Sequence, residues 1–258
     1  MQAKLPLPRS LNRKIWRAIT EFGLIEPGDR VLVGFSGGKD SAFLLYALRS
    51  LQLHNRLVSF SLAAVTLDAG FRQDFPPEAL VDYPARLGVE WQLIRTQLAA
   101  LLADGRDPCA RCSFFRRGAL FRFAREHGFN RVALAHHHDD AVETFLMSIL
   151  YSGKIQTFLP RVELDGNLAA IRPLAYVREA EIRKHLELTG YMPVDSGCPF
   201  EGDTQRRAVK DLLRRLCREN RYVYSNLAAA MRAGGTLDLW PRLPDKEEMR
   251  ALHRRYFE

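Results

Sequence analysis

The sequence is poor in cysteine and has no long apolar segment, and each shortage excludes a class of protein. Four cysteines in 258 residues are too few for a disulfide-stabilised scaffold. No run approaches the ~20 consecutive apolar residues that a membrane helix requires, and Met1 to Arg9 lack the apolar core of a secretory signal. The composition therefore predicts a cytoplasmic protein without a membrane segment.

The remaining composition is that of a globular domain with a basic surface. Hydrophobic residues make up 47% and charged residues 26% of the chain, which is ordinary for a globular protein. The length allows one large α/β domain, or a domain with appendages. Lys and Arg number 38 against 30 Asp and Glu, a net charge of +8. This excess suits a polyanionic partner such as nucleic acid, but it also suits a merely soluble surface.

One stretch near the N-terminus predicts a phosphate site. Residues 31–35 have the pattern of a buried strand and 40–50 that of a helix. Between them stands Ser36-Gly37-Gly38-Lys39-Asp40-Ser41. Adjacent glycines allow a sharp turn and close approach of a ligand, and the N–H groups at a helix start attract an anion. The alternative is an ordinary Gly-Gly turn before a helix.

Two common nucleotide-binding patterns do not fit this loop. The Walker pattern requires Ser or Thr after its lysine, whereas Asp40 follows Lys39 and Val33 occupies the position of the upstream glycine. The dinucleotide pattern Gly-x-Gly-x-x-Gly is also absent. The loop therefore belongs to another type.

Strand and helix patterns alternate along the first two thirds of the chain, which predicts a doubly wound parallel sheet. Strands are predicted at residues 31–35, 57–67, 89–95 and 131–135, and helices at 10–22, 40–50, 76–87, 109–127 and 139–151. Ligands bind at the carboxyl ends of such strands. The glycine loop, Asp68 and the segment from His136 to Asp140 all fall there.

The chain is divided by these patterns into three parts. We assign residues 1–27 to an N-terminal helical extension, 28–175 to the α/β domain and 176–258 to a helical C-terminal region. Residues 161–171 predict a hairpin that turns at Asp165-Gly166, and helices are predicted at 178–189 and 204–219. The last twenty-odd residues, rich in proline and charge, receive no assignment.

Three cysteines are candidate ligands of a metal or an iron–sulfur cluster. Cys109 and Cys112 lie three residues apart near a predicted helix start, and Cys198 is followed by proline. Three thiolates would leave one iron of a cluster without a protein ligand, whereas closed structural zinc sites use four. Cys217 is a fourth candidate, but it lies on an apolar helix stripe typical of the core. A reducible disulfide or unconnected thiols are the plain alternatives.

An acidic segment and two basic helices complete the candidates. Asp139 and Asp140 could hold Mg²⁺ beside a triphosphate, but either could equally cap a helix, and His136 could be a core histidine. Asp68 alone is weak evidence for a site. Arginines crowd the predicted helices at 109–127 and 204–219, which fits nucleic-acid binding as well as a solvated helix face.

Taken together, these motifs resemble the tRNA 2-thiocytidine-forming (TtcA-type) branch of the PP-loop ATP pyrophosphatases. The resemblance covers about residues 10–220. It rests on the glycine loop, on Cys109-x-x-Cys112 followed by Arg116-Arg117-Gly118, and on the segments 135–140, 151–154 and 171–177. It implies an α/β fold of the adenine nucleotide α-hydrolase-like (PP-loop) type with a smaller mixed C-terminal extension.

The resemblance also implies a reaction. ATP and Mg²⁺ bind at residues 36–41, with Asp68, His136 and Asp139 or Asp140 nearby, and Lys39 and Asp40 take part in catalysis. The C2 oxygen of a tRNA cytidine, at position 32 in the family, attacks the α-phosphate. Sulfur delivered through a [4Fe–4S] cluster on Cys109, Cys112 and Cys198 then displaces AMP.

The implied partners are tRNA and a sulfur donor such as a cysteine desulfurase system, and a homodimer is left open. Lysidine-forming and amidating relatives would not need three converging cysteines, and a persulfide-using enzyme would need two thiols and no cluster. A thiolating enzyme for another base and a zinc-stabilised RNA-binding protein without catalysis are the remaining alternatives.

Overall fold

A computed structural model of the chain describes residues 5–54, 58–72, 75, 78–103, 108–194, 197–199, 205–232 and 239–257. The strands are β1 (Arg30–Gly34), β2 (Ser61–Asp68), β3 (Glu90–Arg95), β4 (Arg131–Ala133), β5 (Arg161–Glu163) and β6 (Ala169–Ile171). The helices are α1 (Arg9–Phe22), α2 (Lys39–His54), α3 (Glu78–Arg86), α4 (Leu98–Leu101), α5 (Pro108–Glu126), α6 (His138–Ser152), α7 (Glu179–Lys184), α8 (Gln205–Glu219), α9 (Val223–Ala230) and α10 (Lys246–Phe257).

The six strands form one sheet in the order β3-β2-β1-β4-β6-β5. Every neighbouring pair is parallel except β5 and β6. The chain proceeds outward from β1 to β3 on one side. On the other side β4 lies next to β1, followed by β6 and then β5 at the edge, so the strand order reverses between β1 and β4. Ligands of open α/β sheets bind at such a reversal, beyond the carboxyl ends of the strands. The prediction of a doubly wound α/β fold is confirmed.

Helices cover both faces of the sheet, and each face has its own apolar cluster. The smaller cluster joins Leu32 and Val132 of the central strands to Leu120 and Ala124 of α5. The larger cluster lies on the opposite side and includes α2, whose residues 41–48 are all buried. Because β1 contributes to both clusters, the loop that follows it is anchored from both faces.

The larger cluster draws on all three parts of the chain. Leu11 and Ile15 of α1 are fully buried in it. Trp240, in the segment that the sequence left unassigned, is 2% exposed and packs edge-on against Phe22, with ring centroids 5.5 Å apart. Tyr256 of α10 belongs to the same cluster. The first and last helices therefore share one core with the central α/β unit.

Two predicted elements differ from the observed ones. The helix predicted at 178–189 ends at Lys184, and after His185 a 3₁₀ turn occupies Leu186–Thr189 before Gly190 ends it in the left-handed region. This tighter path directs Tyr191 toward the glycine loop. The fourth strand covers only three residues because the chain turns toward α6 after Ala133. Leu57, Pro76, Pro77 and Thr204, predicted as element starts, lie outside the described residues.

The remaining predicted elements are present, and the hairpin formed by β5 and β6 places Gly166 and Asn167 at positive φ in its loop. Pro84 lies inside α3, close to its end. None of the helices in the described part of the chain is long and apolar enough to cross a membrane.

Candidate active site at the strand-order reversal

The glycine loop between β1 and α2 is shaped by backbone geometry and by a chain segment from the C-terminal region. Gly37 has φ +84°, and a Cβ on it would lie 2.8 Å from Cδ2 of Leu80. No other residue type fits that position without strain. The carbonyl oxygen of Gly37 accepts hydrogen bonds from the hydroxyl of Tyr191 at 3.1 Å and the N–H of Val194 at 3.0 Å. These contacts fix the turn.

Two serine hydroxyls tie the two ends of the loop together. The Oγ of Ser41 donates to the carbonyl of Gly38 at 2.9 Å and accepts from the N–H of Ser36 at 3.2 Å. The two hydroxyl oxygens of Ser36 and Ser41 are 3.1 Å apart. The loop is therefore pre-formed, which favours binding of a phosphate chain because little ordering is left to occur on binding.

A cavity of about 510 Å³ opens directly over this loop. It is lined from one side by the glycine loop and from the other by the start of α5 and the segment that follows β4. Its polar lining comprises Ser36, Gly38, Asp40, Ser41, Cys109, Cys112, Ser113, Arg116, Arg117, His136, Asp140 and Cys198. The structure thus gathers the glycine loop, the three candidate cysteines and part of the acidic segment around one space.

The three cysteines face this cavity as thiols. None of the four cysteines, all of which lie in the described part of the chain, forms a disulfide. Burial raises the pKa of the Cys112 thiol, Arg116 opposes that effect, and the nearby Cys198 and Cys109 add to it. Cys112 therefore lies within electrostatic reach of the other two sulfurs. Cys217, on α8, does not line the cavity.

The three thiols are chemically suitable ligands for an iron–sulfur cluster, although in the structure they are not arranged around a single metal position. Among the described residues, no three His, Cys, Asp or Glu side chains are grouped as a metal site. Three soft thiol donors nevertheless line a cavity that opens to solvent, and a metal would displace their protons on binding. Three thiolates without a fourth are the donor set of a cluster with one iron not bound by protein.

Asp40 and Asp140 supply the carboxylate oxygens of the cavity. Oδ1 of Asp40 is buried without a hydrogen-bond partner. Asp140 uses Oδ2 to accept from the N–H of His137 at 2.9 Å, in a capping box at the start of α6, while its Oδ1 lies 3.4 Å from Arg206. An orphaned oxygen and a weakly engaged one are available to a hard cation, which prefers oxygen ligands. The alternative helix-capping role also holds for Asp140.

Asp139 and Asp68 are not brought to the cavity. Asp139 forms an ion pair with Arg178 at 2.9 Å and accepts from the N–H of Glu179 at 2.8 Å. Burial favours its neutral form, but these contacts outweigh burial and lower its pKa. Asp68 accepts from the N–H of Gly70 at 2.8 Å and so stabilises the turn after β2. Both carboxylates therefore have structural partners of their own.

Glu179 is a charged residue of the site that no motif indicated. Its carboxylate lies 3.1 Å from Nζ of Lys39 and 2.5 Å from Nζ of Lys210 on α8. Burial favours the neutral carboxyl, but the two lysines outweigh it and lower its pKa to about 2. For Lys39, burial opposes the charge, while Asp40 at 2.9 Å and Glu179 raise the pKa. The lysine of the glycine loop is thus held charged beside the cavity.

His136 lines the cavity on the side of the segment that follows β4, and a buried arginine lies close to it. Burial, together with the charge of Arg172, lowers the pKa of His136 to about 3, so its ring is neutral near pH 7. Its Nδ1 is buried without a hydrogen-bond partner. Arg172 stacks over Phe158 with its guanidinium carbon 4.9 Å from the ring centroid. His136 therefore contributes an uncharged polar side chain to the cavity lining.

Residues 8–195 match the family of the PP-loop domain. The tRNA-cytidine(32) 2-sulfurtransferase of Vibrio cholerae serotype O1 (strain M66-2) is 40% identical over 213 residues, which is 80% of this chain and 68% of the relative. The enzyme of the same name from Stenotrophomonas maltophilia (strain K279a) is 38% identical over 231 residues, 87% of this chain and 75% of that one.

A solved structure has the same fold. The U34-tRNA thiolase NcsA from Methanococcus maripaludis, determined with its [4Fe–4S] cluster, superposes with a TM-score of 0.70 at 18% identity, covering 95% of this chain and 87% of that one. The family resemblance inferred from the motifs is confirmed by the sequence relatives. The chain belongs to the PP-loop domain family and, within it, to the family of the tRNA-cytidine(32) 2-sulfurtransferases.

Proposed function

We propose that the protein is an ATP-dependent tRNA sulfurtransferase that converts a cytidine, at position 32 as in its named relatives, to 2-thiocytidine. One observation carries the proposal: the pre-formed glycine loop and three cysteine thiols line the same cavity. A phosphate site and a sulfur-handling site within one cavity match a reaction in which an oxygen is first activated by adenylation and then replaced by sulfur.

The adenylation step falls to the glycine-loop end of the cavity. The C2 oxygen of cytosine attacks the α-phosphorus of ATP, and the bond to the bridging oxygen breaks, so pyrophosphate leaves. Negative charge accumulates on the leaving pyrophosphate. The N–H groups of the loop and the ammonium of Lys39 stabilise that charge, and Asp40 and Asp140 hold the Mg²⁺ that accompanies the triphosphate.

The replacement step falls to the cysteine end. Cys109, Cys112 and Cys198 would hold the [4Fe–4S] cluster. When bound, the cluster supplies an iron without a protein ligand, at which sulfur can be exchanged. Attack of sulfur at C2 of the adenylated base breaks the C2–oxygen bond, and AMP leaves with that oxygen. Arg116 and Arg117 line the cavity at this end and offset the negative charge of AMP.

The proposed substrate sets the partners and the place of the reaction. The tRNA is recognised on basic surfaces around the cavity, and sulfur comes from a donor protein such as a cysteine desulfurase system. Both point to the cytoplasm. The homodimer stays a prediction from the family resemblance.

The proposal is tested on protein purified without oxygen. Iron, acid-labile sulfide and visible absorbance are measured, followed by nucleoside analysis of unmodified tRNA incubated with ATP, Mg²⁺, a reductant and sulfide. We expect roughly four iron and four sulfide per chain and ATP-dependent formation of 2-thiocytidine with release of pyrophosphate.

Other results would separate the alternatives. Zinc without labile sulfide, together with RNA binding that is independent of ATP, would support a zinc-stabilised RNA-binding protein. Thiolation by protein that contains no metal would point to a persulfide mechanism. Formation of a thiolated nucleoside other than 2-thiocytidine would support the proposed thiolation reaction but assign it to a different tRNA base.

A further inference from the structure

A second cavity, of about 1050 Å³, lies between α1 and α10, away from the catalytic cavity. We call it the α1–α10 groove. Its walls carry Arg9, Arg13 and Arg17 from α1, and Lys246 and Arg250 from α10. Among the lining residues that the structure describes, Asp245, just before α10, carries the one carboxylate.

Four of these cations have no carboxylate within ion-pair distance among the described residues. Arg9, Arg13, Lys246 and Arg250 are exposed, and within the described part of the chain none of them lies within 4.0 Å of an acidic oxygen. Arg17 differs, because it contacts Glu21 at 3.3 Å and lies over the ring of Tyr176. Within the described part of the chain, the groove therefore presents four cations that are not engaged in ion pairs, although Glu247 and Glu248 lie beside Lys246 on α10.

The single acid of the groove is engaged in helix capping. Oδ1 of Asp245 accepts hydrogen bonds from the N–H groups of Glu247 and Glu248, both at 2.9 Å. Its charge is partly used to stabilise the start of α10. Its position at the end of the groove leaves the cations along the two helices to face an incoming ligand.

The arrangement suits an extended polyanion better than a small anion. Arg9 and Arg13 are one helical turn apart on α1, about 6 Å along the axis, and Lys246 and Arg250 have the same spacing on α10. A small anion could meet only one such pair at a time. Arginine binds phosphate oxygens in a bidentate manner, and the half-buried Trp16 and Met249 give the groove an apolar wall.

The groove is one helix away from the catalytic cavity. Nζ of Lys14 on α1 lies 2.5 Å from Glu181 of α7. Two residues earlier on α7, Glu179 contacts Lys39 of the glycine loop. A tRNA presents one nucleotide to the catalytic cavity, and the rest of its stem must then lie across the neighbouring surface.

We infer that the α1–α10 groove binds the phosphodiester backbone of the tRNA substrate and so positions the molecule over the catalytic cavity. The inference rests on the proposed function for the identity of the RNA. The groove contributes affinity and orientation, and the adenylation and sulfur steps take place elsewhere.

The experiment measures binding of a fluorescent tRNA transcript to the full chain, without ATP, between 0.05 and 0.4 M KCl. The double variant Arg13→Gln/Arg250→Gln removes two unpaired groove cations. Each phosphate contact contributes about 0.7–0.9 to the magnitude of the negative slope of log affinity against log salt concentration. In the double variant we therefore expect the magnitude of the slope to fall by about 1.5. Binding at 0.1 M salt should weaken by roughly thirtyfold. In thiolation, KM for tRNA rises and kcat at saturating tRNA is unchanged.

Two further variants make the test specific. Asp245→Asn removes the only carboxylate of the groove and keeps an oxygen that can cap α10, so we expect severalfold tighter binding. Arg254→Gln removes an exposed cation of α10 that does not line the groove, and we expect affinity within twofold of the unaltered protein. The single variants Arg13→Gln and Arg250→Gln replace the double variant if it fails to fold.

The inference is overturned by wild-type affinity and salt slope in the double variant, or by an equal loss in Arg254→Gln. It is also overturned if polyglutamate binds the groove as tightly as tRNA, because the groove would then serve an acidic protein. A chain that forms no 2-thiocytidine but binds tRNA as expected contradicts the proposed function alone. Unchanged thiolation and an unchanged KM for tRNA in the double variant would contradict tRNA binding in the groove but not the proposed function.

Discussion

The two ends of the catalytic cavity are built in opposite ways. At the glycine-loop end, β1 is packed on both faces of the sheet and α2 is buried in the larger cluster, and Tyr191 and Val194 fix the turn at Gly37. At the cysteine end, α5 has no buried residue before Leu120. Phe114, between the cysteines and the core contacts, is 67% exposed.

The difference indicates which end depends on its ligand. The phosphate end has its shape before ATP arrives, because protein contacts alone define it. The first three turns of α5 hold the cysteines with few core contacts, which is the mark of a segment with low local stability. Metal binding that couples to folding would stabilise this end, so we expect the cluster to order the cysteine end while leaving the glycine loop unchanged.

The largest expected effect is a loss of thiolation activity that leaves ATP binding unchanged. Cys198→Ala removes one of three proposed cluster ligands, so we expect thiolation to fall at least a hundredfold. Because the glycine loop does not depend on this cysteine, the dissociation constant of ATP should stay within twofold. Nucleoside analysis of tRNA measures the first quantity and calorimetry the second.

Cys217→Ala is the control for that prediction, since Cys217 lies outside the cavity and we expect it to keep both iron and thiolation. Retained thiolation in Cys198→Ala would overturn the cluster assignment. A large loss of ATP binding in the same variant would show that the two ends are not independent.

A second variant disrupts the glycine loop and should leave the cysteine end unchanged. Gly37→Ala forces a side chain into the left-handed region, at a cost of about 1–2 kcal/mol, and adds a contact of 2.8 Å with Leu80. We expect ATP affinity to fall by tenfold or more, with pyrophosphate release reduced in parallel. The iron and sulfide content should match that of the unaltered protein.

Tyr191→Phe is a milder control at the same place. It removes one of the two hydrogen bonds to the carbonyl of Gly37, worth about 1 kcal/mol, and it keeps the ring packed against Tyr83. We expect an intermediate loss of ATP affinity. Loss of iron in either variant would contradict a glycine loop that is independent of the cluster.

The smallest effect concerns the helix that carries Cys109 and Cys112. Gly118 is exposed in α5, and a Cβ there would meet nothing within 4 Å. Gly118→Ala should stabilise the helix by about 0.5–1 kcal/mol. Because this part of α5 has few core contacts, the gain should appear as slower amide hydrogen exchange at the start of α5 in cluster-free protein.

Ala110→Gly, at an exposed position of the same helix, is the matched control, and we expect faster exchange by a similar factor. Exchange at the start of α2 should be unaffected by either variant. Equal changes in both helices would mean that the cysteine end and the loop end open as one unit.

The sequence predicted the local parts of the site because their signals are local. The glycine loop between a buried strand and a helix could be located from residues 31–50 alone, and the structure places it at the reversal of strand order. The paired cysteines could be recognised by spacing. Their convergence with Cys198 came from the family resemblance, since no local pattern joins residues so far apart.

The parts that sequence reasoning missed depend on distant partners. Asp139 and Asp140 carry the same chemical signal, yet the start of α6 turns Asp140 toward the cavity and Asp139 toward Arg178. Glu179 follows no motif, and its place in the site comes from its ion pairs with Lys39 and Lys210, which lie on α2 and α8. Such roles are set by packing between elements, which sequence spacing does not encode.

The burial of Trp240 and Tyr256 beside α1 has a consequence for how the chain reaches its native state. The apolar side of α1 is synthesised long before part of its cover, which comes from residues near position 250. Contacts of such long sequence separation form late and slow the folding rate. The nascent chain can pair its central strands early, but it must keep the apolar side of its first helix from aggregating until that late cover has been synthesised.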